Sequence, residues 1–124
     1  MIQQISTPAA PAAIGPYSQG IVANNFVYCS GQLPIDAATG DMPSDIKEQT
    51  RQSLKNVQAV LAAAGLTLAN VVKTTVYLAD MSLFAPMNEV YSEIFAAPFP
   101  ARSAFAVKEL PKQALVEIEV VAAF

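Results

Sequence analysis

The sequence predicts an α+β fold: a single mixed β-sheet with two helices packed on one of its faces. The prediction rests on three features. Ser44 to Gly65 carries apolar residues at helical spacing between two end signals, and a second helical pattern runs over 82–95. The remaining ordered segments are short and rich in alternating, β-branched residues. A length of 124 residues suits one domain, 1–124, large enough to bury about two-thirds of its unfolded surface.

The elements follow in order. Pro8, Pro11 and Pro16, with Gly15, predict an extended, irregular but rigid arm over 7–17. Two short strands, 19–22 and 26–29, flank an Asn24-Asn25 turn. Pro34, Gly40 and Pro43 make 31–43 a loop. Ser44 is a good N-cap, and Asp45 complements the positive end of the helix dipole. Ile46, Thr50, Leu54, Val57, Val60, Leu61 and Ala64 form the inner face of the first helix, and Gly65 stops it. Lys47, Glu48, Arg51, Gln52 and Lys55 take the solvated face. In the strand 70–78, Val72, Thr74, Val76 and Leu78 alternate with Lys73, Thr75 and Tyr77. The second helix turns Leu83, Phe84, Met87, Val90, Tyr91, Ile94 and Phe95 to one side and tolerates Pro86 in or next to its first turn. Strands over 103–107 and 115–121, joined by a loop around Pro111, complete the order β-β-α-β-α-β-β.

Composition narrows the chemistry. The chain is 53% hydrophobic and 14% charged, against about 25% charged in an ordinary domain. That surplus, with a sheet face no helix covers, points to an oligomer. The absence of histidine excludes Ser-His-Asp and Cys-His nucleophile systems and any His-ligated metal. One cysteine, Cys29, excludes an internal disulfide and a CxxC pair, and reads as a small apolar strand residue. A net charge of −3 without a basic cluster argues against nucleic acid as a partner. No apolar run nears the roughly 18 residues of a membrane span, and the first basic residue is Lys47, so a cytoplasmic protein is expected, with no membrane partner.

Few residues remain for catalysis. Arg51 belongs to the solvated helix face, whereas Arg102, in Pro100-Ala101-Arg102-Ser103, lies among apolar neighbours where a guanidinium needs an anionic partner. That partner is an internal carboxylate or a substrate carboxylate gripped through two parallel hydrogen bonds. Glu117 and Glu119 point to one face of the last strand, with Val116, Ile118 and Val120 on the other. They are either a wetted sheet face or carboxylates that orient or deprotonate a water beside Arg102. Taken singly, Tyr17, Ser30 and Gly31 read as turn residues, and Lys73 as an exposed amine. Gly31 belongs to no phosphate-binding loop.

Together these residues resemble the signature of the RidA (YjgF) family. Pro100-Ala101-Arg102-Ser103 followed by Val116-Glu117-Ile118 is the clearest match, and Gly15-Pro16-Tyr17-Ser18, Ser30-Gly31-Gln32-Leu33-Pro34, Ser53-Leu54-Lys55-Asn56-Val57 and Met87-Asn88-Glu89-Val90-Tyr91 support it in order along nearly the whole chain. The resemblance implies a chorismate-mutase-like homotrimer with a site in each subunit cleft. It also implies hydrolysis of enamine/imine intermediates of the 2-aminoacrylate/2-iminopropionate type to 2-keto acids and ammonia, without a metal or organic cofactor. By position, Arg102 binds the substrate carboxylate, Glu117 orients the attacking water, and Tyr17, Ser30, Gly31 and Asn88 line the cleft. Many members carry cysteine two residues after the arginine; here that position is Ala104, whose main-chain groups remain able to serve. The alternative is a non-catalytic trimer that binds small 2-keto acids or other carboxylates. It keeps Arg102 but does not need Glu117.

Overall fold

In the computed structural model, residues 2–124 are described. Among them six strands form one sheet: β1 (Gln3–Ile5), β2 (Gly20–Ala23), β3 (Phe26–Gln32), β4 (Val71–Leu78), β5 (Ala101–Ala106) and β6 (Val116–Ala123). Their spatial order is β1-β2-β3-β6-β4-β5. Every pairing is antiparallel except that of β4 with β5, so the sheet is mixed. Two helices, α1 (Ile46–Ala63) and α2 (Phe84–Ile94), accompany it. The parallel pair follows from α2, because a crossover helix is what returns the chain to run alongside β4.

Both helices pack on the sheet face that carries Val27, Val76, Val116 and Ile118. These four side chains, with Leu54, Val57 and Leu61 of α1 and Met87 of α2, are fully buried. Tyr28, 48% exposed, and Phe105, 45% exposed, lie on the opposite face, which no element of the chain covers.

The structure departs from the sequence expectations at several points. β1 adds a strand ahead of the expected first one, pairing Gln3–Ile5 with β2. Asp45, not Ser44, caps α1: its carboxylate accepts from the amides of Lys47 and Glu48 at 3.0 and 3.2 Å. A register irregularity between Val71 and Lys73 turns Val72 outward, so Val71 takes the buried place expected for it. β3 runs on to Gln32 through a register shift between Cys29 and Gln32, in what the sequence presents as a loop.

The inner face of α1 also carries buried polar side chains. Ser53 donates to the Gln32 carbonyl at 2.7 Å, and Asn56 donates to those of Leu33 and Ile35, both at 2.9 Å. Gln49 donates to the Pro43 carbonyl and accepts from the Leu115 amide, at 2.7 and 2.8 Å. The segment after β3 therefore finds its hydrogen-bond partners on a helix instead of in a ladder.

Candidate functional site

A cleft of about 870 Å³ opens on the sheet side away from the helices. Its walls are the N-terminal arm (Ile14, Tyr17), the end of β3 (Ser30, Gly31), the following loop (Leu33, Ile35, Asp36), the Pro111-Lys112 turn and the two β6 carboxylates, Glu117 and Glu119. Gln19, 4% exposed, fastens the arm. Its amide oxygen accepts from Thr7 N–H at 2.7 Å, and its amide nitrogen donates to the Thr7, Ala10 and Pro11 carbonyls at 3.1, 3.3 and 2.8 Å. Ser30 closes the seam, its hydroxyl donating to the Ser18 carbonyl at 2.6 Å and its amide to that of Gln19 at 2.9 Å.

Gly31 sits within the β3 irregularity, directly against Glu117. A Cβ there would overlap the Glu117 carboxylate, with the carboxyl carbon at 3.0 Å. Only glycine leaves this carboxylate its place. No described residue donates a side-chain hydrogen bond to Glu117, and its oxygens are not sealed from solvent. Burial, and then the charge of Glu119, push the Glu117 carboxyl above the ordinary glutamate value. Glu119 is held differently, accepting a hydrogen bond from the Tyr77 hydroxyl. That bond, followed by burial and the two carboxylate charges, pushes Tyr77 up to about 12.

Arg102 lies elsewhere. Its Nη1 donates to the Asn88 amide oxygen at 2.7 Å, and its guanidinium carbon stands 4.7 Å from the Tyr91 ring centroid and 5.4 Å from that of Phe84. All three partners belong to α2, so Arg102 occupies the helix side of the sheet. Two aromatic rings and one neutral amide orient a planar cation while most of its five N–H donors stay available. Tyr91 is itself fixed by Thr74 across a buried 2.8 Å hydroxyl pair. Among the described residues no carboxylate forms an ion pair with Arg102; the ion pairs join Lys47 to Glu89 and Arg51 to Glu48 and Glu93. The internal-carboxylate reading of Arg102 is thereby set aside. Ala104 shares the Arg102 face of β5 and packs against the core.

The candidate residues thus divide. Tyr17, Ser30, Gly31 and Glu117 meet in the cleft, whereas Arg102 and Asn88 meet beside α2. The register places Arg102 opposite Thr74 and Glu117 opposite Tyr77, on opposite faces of the sheet. A Glu117-held water beside Arg102 therefore does not form within one chain. Of the other candidates, Lys73 donates to Ser103 at 2.9 Å, and Cys29 is buried with its thiol pushed up to about 12, chiefly by desolvation and then by the Glu119 charge. Gln19 and Tyr77 support the cleft in roles that no sequence pattern assigns; Tyr77 stands on the same side of β4 as Lys73 and Thr75.

Comparison with known proteins agrees with the fold. The family model described as Endoribonuclease L-PSP matches residues 7–124. A RutC family protein of Pyrococcus horikoshii is 54% identical over 123 residues, covering 98% of each chain. The 2-iminobutanoate/2-iminopropanoate deaminase of Escherichia coli K12 is 47% identical over 125 residues, again covering 98% of each. The crystal structure of a Yersinia pestis protein of the conserved Rid family, of unknown function, superposes with a TM-score of 0.97 at 48% identity over 100% of both chains. A match from the arm through β6, and relatives alike over their full length, place this chain in the RidA (YjgF) family.

Proposed function

We propose that the chain hydrolyses 2-imino acids of the 2-iminopropanoate type to 2-keto acids and ammonia, at sites assembled between copies in a homotrimer. The observation that carries this reading is the division of the site. An arginine without a carboxylate partner and an open carboxylate without a donor lie on opposite faces of one sheet. Arg102 stands on β5, an edge strand of the sheet, so a neighbouring copy can present its arginine to this cleft.

In such a site the residues divide the work. Arg102, its plane held by Tyr91 and Phe84, takes the substrate carboxylate through paired hydrogen bonds. Asn88 holds one guanidinium nitrogen and so fixes the angle of approach. Glu117 accepts a hydrogen bond from a water, takes its proton as the water oxygen attacks the imine carbon, and passes that proton to the imine nitrogen to give a carbinolamine. Glu117 then takes the hydroxyl proton and returns it to the amino nitrogen as the C–N bond breaks and the C=O bond forms, releasing ammonia and the 2-keto acid with the carboxylate regenerated. No nucleophilic side chain is needed, because the imine carbon is already electrophilic and positioning supplies the rest. Tyr17 and Ser30 shape the wall facing the water, and the main-chain groups of Ala104 lie two residues beyond the arginine along the edge strand β5. The same cleft suits RNA poorly, since Asp36, Glu117 and Glu119 outnumber Lys112 where a phosphate backbone would lie.

The test is a coupled assay in which a pyridoxal-phosphate-dependent dehydratase releases 2-imino acid from serine or threonine and keto-acid release is timed. Acceleration by the wild-type chain, lost in Arg102→Ala and in Glu117→Gln, is the expected result. Binding of a 2-keto acid without acceleration would instead establish the non-catalytic carboxylate binder.

A further inference from the structure

We propose that Tyr77 is a positioning residue that ties back Glu119, leaving Glu117 the free member of the two β6 carboxylates and setting the pH range over which it can take a proton. The inference rests on the role given to Glu117 above. It starts from a mismatch between register and bonding: Tyr77 stands opposite Glu117 across the β4–β6 ladder, yet its hydroxyl bonds Glu119, whose own cross-strand neighbour is Thr75. The diagonal reach is short enough for an aromatic side chain on one sheet face. Phe105 on β5 meets the Tyr77 ring edge to face, with centroids 5.6 Å apart, and fixes the direction in which the hydroxyl points.

Without that anchor two carboxylates two residues apart on one strand face would share the same water and the same proton. With it they differ. Glu119 has a donor that stays protonated at neutral pH, because the bond to Glu119 itself, and then burial, push the Tyr77 hydroxyl up to about 12. Glu117 has none and feels the Glu119 charge as well as its own burial, both of which favour its protonated form. The other titratable groups lining the cleft are Tyr17 from the arm, Asp36 from the loop after β3 and Lys112 from the turn before β6, while Ser30 and Gly31 bring no charge; in the assembled site the neighbouring copy's Arg102 adds a cation that is the same in every variant compared below. Lys73, on the same face of β4 as Tyr77, is engaged by Ser103. Glu119 is therefore the acid nearest in sequence, and Tyr77 the group that decides where it points.

The experiment follows kcat/KM against pH for wild type, Tyr77→Phe, Glu119→Gln and the double variant, alongside a carboxyl NMR titration of Glu117 in each. Glu119→Gln is expected to move the acid limb, and the Glu117 titration, to lower pH by removing a like charge. Tyr77→Phe is expected to move both to higher pH, because the freed Glu119 turns toward its neighbour. The upward shift should vanish in the double variant, since Tyr77 acts only through Glu119. An unmoved limb in Tyr77→Phe, or a loss of rate equal at every pH, overturns the proposal. The NMR titration reports on the carboxylate pair even without turnover, so failure of the hydrolase reading is seen separately, in the coupled assay.

Discussion

Arg102 and Glu117 sit on opposite faces of one sheet, displaced along it by the step from Thr74 to Tyr77 on β4. At the rise of a strand that step is about 10 Å, before the thickness of the sheet is added. Two groups so placed cannot grip one small molecule from a single chain. They can do so only if neighbouring copies each contribute one.

Subunit mixing tests this. Arg102→Ala and Glu117→Gln are each expected to be inactive, yet refolding the two together in equal amounts should restore about a quarter of wild-type activity, the share of interfaces that receive both native groups. A mixture as inactive as its parts would place both groups in the same half-site.

The uncovered sheet face predicts the assembly. Tyr28 and Phe105, both about half exposed, should be buried between copies. Sedimentation should return about three times the chain mass of 13.1 kDa. Phe105→Lys should lower it, because a cation is costly in a dry interface. A wild-type mass of 13.1 kDa would remove the shared site altogether.

Gly31→Ala isolates the close approach of β3 to Glu117. The added methyl has no room beside the carboxylate. A displaced Glu117 should reduce kcat by about 100-fold, the usual consequence of misplacing a reacting group by an ångström. Circular dichroism should show an unchanged fold; wild-type rates in this variant would mean that Glu117 need not stand where it does.

Stability should carry the mark of the same carboxylate. With its pKa raised in the folded state, Glu117 holds its proton more tightly there than in the unfolded chain. The folded form therefore binds more protons above the ordinary glutamate pKa, and its stability falls as pH rises through that window up to the raised value. Glu117→Gln removes the penalty. It should be more stable than wild type at pH 8 and equal to it at pH 4, as read by urea midpoints; a gap that widens on acidification would reverse the sign.

Asp45→Ala should cost about 1 kcal/mol by leaving the first amides of α1 without their acceptor, while Ser44→Ala should change little. Asn56→Ala orphans the carbonyls of Leu33 and Ile35 and should cost about 2 kcal/mol or more. Thermal denaturation of the three variants gives the comparison directly.

Much of the fold was legible in the sequence because burial there follows period. The faces of β6 and of both helices are apolar stripes, and Glu117 and Glu119 were placed together by simple alternation. Other features escaped for physical reasons. β1 has three residues and buries only Ile5, too short to show a period. Gln49, Ser53 and Asn56 face inward to satisfy main-chain carbonyls, which no hydrophobic pattern records. β5 is a small-residue edge strand, so nothing in Ala101-Arg102-Ser103-Ala104 told which face the arginine would take. The face it takes sets Arg102 apart from Glu117 within the chain.

Gln19 gives the cleft a thermodynamic character of its own. By fastening the proline-rich arm at four points, one buried amide makes Tyr17 part of a standing wall instead of a flap. The entropy of ordering that wall is lost once, when the chain folds, and not again with each ligand. Ligand capture at this wall should accordingly involve little change in amide exchange along the arm, and its speed should be set by encounter and not by closure.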